Sequence, residues 1–176
     1  MSGHNKWSQI KHKKGASDAK KGKIFGKLAR LISIAARSGS DPKGNPQLKA
    51  AIDKAREVNM PNENIERAIK KVSEKDSVQL ETLQLEALGP GGSALIISAI
   101  TDNRNRTIGE IKTLLMKLDT KLVNQGSLAW MFTKTGMEWV PTSPLTLSEE
   151  DTVKFEKILE ALDDHDDVQD VFTNVQ

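Results

Sequence analysis

The chain has 176 residues, 37% of them hydrophobic, with no cysteine and a formal net charge of +2. That length suits one ordinary domain or two small ones. The missing thiol excludes disulfides, thiolate metal sites and cysteine nucleophiles, and it fits a reducing, cytoplasmic setting. The small mean charge conceals a polarised chain: residues 1–75 carry 18 Lys+Arg against 7 Asp+Glu, and residues 76–176 carry 8 against 17. Such an asymmetry points to a polyanion as the partner of the first half.

Residues 1–15 show no sustained period and read as an extended arm, with Trp7 and Ile10 as its anchors. The start runs from Met1 into lysines without an apolar core, which is not a signal peptide. A mitochondrial presequence shares this basic character, but the segment reads as part of the folded body. Residues 17–37 predict a helix, because Ile24, Leu28, Leu31, Ile32 and Ala35 recur at three and four. Lys20, Lys23, Lys27, Arg30 and Arg37 fall on its opposite side, and Gly39 ends it. Asn45 caps a second helix with Pro46 at its first position, and Leu48, Ala51, Ile52 and Ala55 face inward. Asn62 can cap a third helix, with Ile65, Ala68, Ile69 and Val72 inside. Three helices with short loops make a helical domain over residues 1–75.

The period then changes. Val78–Leu88 reads as a strand with a slip near Thr82, Gly89-Pro90-Gly91-Gly92 as a turn, and Ala94–Ile100 as a buried strand. Ile108, Ile111, Leu115 and Leu118 mark a helix. Residues 121–124 and 128–132 read as a hairpin around Gln125-Gly126, and Met137–Val140 as a further short strand. Ser148 with Asp151 forms a capping box for a helix that buries Phe155, Ile158, Leu159 and Leu162. Val168–Phe172 is a last strand. The expected fold class is α+β: an N-terminal three-helix domain, then a mixed or antiparallel α/β sandwich over residues 76–176 with helices on one face. No stretch approaches the ~20 apolar residues of a membrane span, so no membrane partner is expected.

The basic arm and first helix carry the functional signal. Residues 1–30 hold nine Lys+Arg against the single acid Asp18. Lysines gathered on one face meet phosphates and gain affinity from counterion release. An ordinary surface helix would interleave glutamates for i+4 pairing, yet residues 19–37 contain no acid. The candidate nucleic-acid-binding residues are therefore Lys6, Lys11, Lys13, Lys14, Lys20, Lys21, Lys23, Lys27, Arg30 and Arg37. Trp7 joins them as a residue that could stack on a base, although a lone tryptophan more often anchors its own domain. Arg104 and Arg106 lie in Thr101–Thr107, between a strand and a helix. This segment reads either as a phosphate site or as a helix cap with solvated arginines. No residue is suited to reading base edges, so backbone contacts should dominate.

Enzymatic readings find little support. His4, His12 and His165 have no partner at nucleophile or metal spacing. Gly89–Gly92 lacks the rest of a P-loop. Residues 163–167, Asp-Asp-His-Asp-Asp, lack EF-hand spacing and read as a solvated helix end. No cofactor, metal or small-molecule substrate is expected, and the chain reads as a binding module and not an enzyme.

Several segments together resemble the YebC/PmpR family, which includes mitochondrial translational activators of cytochrome oxidase subunit one. They are Gly3–Trp7, Ile10–Lys14, Asp18–Lys23, Ala51–Ala55, Met60-Pro61, Asn64–Lys71, Gly89–Gly92, Thr101–Thr107 and Ala161–Gln169. The resemblance implies a non-catalytic regulator of gene expression, most often described as a DNA-binding transcriptional regulator. Its alternative is a translation factor that binds the ribosome and ribosomal RNA and relieves stalls. Members usually carry another small α/β domain between the strand ending near Thr133 and Met137. Here Gly136 joins the two directly, so functions that depend on that domain are not implied.

Overall fold

The computed structural model describes residues 5–13, 17–75 and 77–176, and of these the side chains of residues 5 and 11–13 lie outside the description. The chain forms two compact units, Ala16–Glu81 on one side and Met1–Gly15 with Thr82–Gln176 on the other. The contacts of residues 5–13 thus fall with the α/β unit, whereas the sequence groups residues 1–75 together. The segment 5–13 is also a helix, α1 (Asn5–Lys13), and not an extended arm. Its apolar content is Trp7 and Ile10, three residues apart, both buried in the main core of the α/β unit. Tertiary burial fixes this helix, because nine residues would be marginal alone.

The helical unit contains α2 (Asp18–Ala36), α3 (Pro46–Glu57) and α4 (Asn62–Lys70). Ser17 caps α2, its side chain accepting from Lys20 N, and Asn45 caps α3, accepting from Leu48 N at 3.1 Å with Pro46 at the first turn. Asn45 is itself buried, donating to the carbonyls of Ala35 and Gly39, so one side chain starts α3 and closes the end of α2. The cap position of α4 is Pro61, and Asn62 makes no cap hydrogen bond. Ile32, Ala35, Ala36, Leu48, Ala51, Ile52, Ala55, Ile65 and Ala68 form the core of this unit.

The α/β unit is built on a four-stranded sheet in the order β3-β1-β2-β6. These strands are β1 (Glu81–Leu88), β2 (Ala94–Thr101), β3 (Lys121–Val123) and β6 (Val168–Thr173). β1 pairs antiparallel with β3, and β2 pairs antiparallel with β6. Alternation along β2 divides the core. Leu95 and Ile97 join Trp7, Ile10 and the inner faces of α5 (Arg104–Met116) and α6 (Glu149–Asp164). Ala94 and Ile96 face the other way, against Leu128, Phe132 and Phe172. A second sheet, β4 (Phe132–Thr135) with β5 (Glu138–Pro141), supplies part of that cover.

The hairpin expected around Gln125-Gly126 is absent. β3 pairs with β1 instead, and Ala129–Met131 is a short 3-10 turn. The cause lies in Glu86, a carboxyl with 1% exposure. Its two oxygens accept from the backbone N–H of Gly126 (2.7 Å), Leu128 (2.6 Å) and Ala129 (3.2 Å), pulling this loop onto the sheet. Charge-bearing acceptors give the stronger hydrogen bonds, and buried N–H groups left unpaired are costly. Glu86→Ala is expected to destabilise the α/β unit by about 3 kcal/mol in urea unfolding. An unchanged midpoint would show that the loop is held by other means.

The true hairpin is β4–β5, in which Thr135 pairs with Glu138 and only Gly136 and Met137 form the loop. Gly136 has φ 62, and Met137 is not among the residues with positive φ, which is the order a II′ turn requires.

Candidate nucleic-acid interface

The buried face of α2 centres on Ile32 and Ala36, with Ser33 donating from Oγ to the Ala68 carbonyl at 2.8 Å. Ile24, expected inside, is 40% exposed, and Phe25 packs in its place. At about 100° per residue, Lys20, Lys23, Lys27, Arg30 and Arg37 occupy an arc of about 100° centred opposite Ile32. Lys21 stands apart from that arc. Lys21, Lys23 and Arg37 are exposed, while Lys20, Lys27 and Arg30 are half-buried. The Arg37 guanidinium donates to the Leu80 carbonyl, so this arginine is held on its own unit.

The other candidates divide. Lys6 pairs with Glu156 of α6 at 3.1 Å. Trp7 is 1% exposed, which removes its ring from any base and makes it an anchor of the α/β core. The side chains of Lys11 and Lys13, and all of Lys14, lie outside the described residues, as do those of His4 and His12. Residues 17–75 still carry 14 Lys+Arg against 7 Asp+Glu, so the helical unit is basic without the N-terminal segment. Exposed Lys54 and Arg56 in the last turn of α3, with Arg67 and Lys70 in that of α4, extend this charge. The sequence reading missed them, although basic residues at helix C-termini are a legible signal, favoured there by the helix dipole.

The Thr101–Thr107 segment is a cap closed on itself. Asn103 Oδ1 accepts from Arg106 N at 3.1 Å, and Asn103 N donates to Thr101 Oγ1 at 2.9 Å. Arg106 is no free phosphate ligand: its guanidinium meets Asp102 at 2.7 Å and buried Asp167 at 3.1 Å, with Glu110 3.8 Å away. The hydrogen bond to Asp167, then that to Asp102, raises its pKa above the ordinary arginine value. Thr107 Oγ1 donates to the same Asp167 at 2.6 Å. Arg104 is exposed at the start of α5.

The Asp-Asp-His-Asp-Asp run is bonded as well as solvated. Asp167 N donates to His165 Nδ1 at 3.1 Å, which leaves Nε2 to carry the proton in the neutral ring and to face Glu110 Oε2 at 3.0 Å. Glu110, His165 and Asp167 thus converge. A cation there would meet an N–H and the Arg106 guanidinium, which already bonds Asp167 and lies 3.8 Å from Glu110.

Together these features define an α+β protein whose basic helical unit presents an acid-free helix face and whose second unit is acidic. Residues 5–75 match the profile of the TACO1/YebC protein N-terminal domain. The profile of the TACO1/YebC second and third domain matches in two stretches, residues 80–137 and 134–175, which meet at the β4–β5 turn. The chain belongs to the TACO1/YebC family. It is 49% identical over 162 residues to a "probable transcriptional regulatory protein" of Geobacter sulfurreducens, covering 91% of this chain but 62% of that relative's length. A relative of the same description from Desulfosudis oleivorans is 46% identical over 181 residues, covering 100% of this chain and 72% of its own. The crystal structure of a conserved hypothetical protein from Aquifex aeolicus superposes with a TM-score of 0.85 at 33% identity, covering 97% of this chain and 96% of that one. Among the described residues, no helix is long and apolar enough to cross a membrane.

Proposed function

We propose that this chain is a non-enzymatic, cytoplasmic DNA-binding regulator of transcription, which lays the basic arc of α2 along the phosphates of duplex DNA. The observation that carries the reading is the helix itself: residues 19–37 contain no acid, and five of their six cations lie opposite the buried face. The relatives' description as transcriptional regulatory proteins supports duplex DNA as the polyanion. Lysine and arginine on this arc suit phosphate oxygens, so register and affinity come from backbone contacts, and any sequence preference from DNA shape.

Competition binding tests the proposal. A labelled promoter duplex should remain bound in excess random duplex and in excess structured RNA. Equal loss to both competitors would overturn the transcriptional reading. Preferential loss to structured RNA would move the same helix face to ribosomal RNA and the ribosome.

A further inference from the structure

Resting on the reading that α2 lies along phosphates, we propose that Gly22 and Gly26 set the affinity of that face. They keep the first two turns of α2 marginal, so that in the free protein those turns open and reclose, and phosphates hold them closed. These turns stand outside the helical core. Residues 18–24 are exposed apart from half-buried Lys20. Phe25 is the first apolar side chain of α2 packed against the core, and Ile32 is the first that is buried. Most helix stability in a folded protein comes from a packed apolar face, and this segment has no buried side chain.

Local effects do not replace the missing burial. Glycine is the poorest helix former after proline. A Cβ at Gly22 or Gly26 would meet no atom within 4 Å, and neither residue has a positive φ, so neither packing nor backbone geometry calls for glycine there. Lys20, Lys23, Lys27 and Arg30 follow one another at three and four, which sets like charges side by side along the helix. No carboxylate within residues 19–37 offsets them. The cap is long as well, 3.4 Å from Ser17 Oγ to Lys20 N against 3.1 Å from Asn45 Oδ1 to Leu48 N. Phosphates laid along the arc remove the repulsion, so the contact that binds the duplex also favours the helix. The observed affinity is then the intrinsic affinity reduced to the fraction of free protein in which the turns are closed.

Gly22→Ala combined with Gly26→Ala in the full chain tests this. The pair adds no charge, yet it should raise affinity for a labelled duplex of random sequence about tenfold in equilibrium titration. In the free wild-type protein, amide hydrogen exchange should be fast at residues 22–26 and slow at 32–36, and the alanine pair should slow the first group about tenfold relative to its intrinsic rate. Gly109→Ala is the control, an exposed glycine of α5 in the other unit with the same open space, and it should leave affinity unchanged. Lys23→Gln checks the parent reading separately. Unchanged affinity in Lys23→Gln would mean that α2 does not meet phosphates, and both ideas fall. If Lys23→Gln weakens binding, two results for the alanine pair sink the role of the glycines alone. Unchanged affinity would mean that the turns are already closed in the free protein, and lowered affinity that the glycines clear space for the ligand. An equal gain from Gly109→Ala, or exchange at residues 22–26 as slow as at 32–36 in the free wild type, overturns it too.

Discussion

Replacing Lys20, Lys23, Lys27 and Arg30 together by glutamine is expected to lower duplex affinity about a thousandfold at 0.15 M salt. Each cation that neutralises a phosphate releases about 0.9 counterion, worth roughly fivefold in affinity at that salt, and four act together. The same count makes the plot of log affinity against log salt shallower by between about 3 and 4, and the two proteins should converge when extrapolated to 1 M. Equilibrium titration at several salt concentrations reads both quantities. The buried residues of α2 are untouched, so its helical circular dichroism should persist. Arg106→Gln serves as the control. That guanidinium is committed to Asp102 and Asp167, so its loss should leave the salt slope where it was. A quadruple variant with an unchanged slope would show that α2 does not meet phosphates.

Trp7→Ala should be among the most damaging single changes, lowering unfolding stability by about 3 to 5 kcal/mol. Trp7 is among the largest fully buried side chains and sits in the cluster that also holds Ile10, Leu95, Phe155 and Leu159. α1 contributes Trp7 and Ile10 to that core, so emptying the tryptophan site removes much of what docks the helix. Urea unfolding measures the loss. A change below about 0.5 kcal/mol, the scale of an ordinary surface substitution, would mean that α1 docks by other contacts.

The two predictions also mark where the sequence was legible. α2 and α3 could be read because their signals are local: Asn45 and Pro46 at the start of α3, and apolar spacing within each helix. The arc of cations on α2 follows from the same spacing. α1 could not be read, since Trp7 and Ile10 show no period until a core more than seventy residues away receives them. Glu86 was equally silent. Nothing near it in the chain announces that its carboxyl will hold the loop at Gly126–Ala129, forty residues on. Arg106 looked like a phosphate ligand because its partner Asp167 lies sixty-one residues downstream. Helix, cap and charge were decided locally. The assignment of a particular arginine or tryptophan to surface or scaffold was decided by distant chain segments.

The two-residue turn at Gly136 and Met137 has an evolutionary corollary. Paired strands end with their backbones about 5 Å apart, so a foldable module whose own termini lie close can be spliced in or excised there without re-routing the sheet. The β4–β5 junction therefore acts as a socket. A chain whose match covers 62% of its Geobacter relative keeps β4 and β5 paired across that turn.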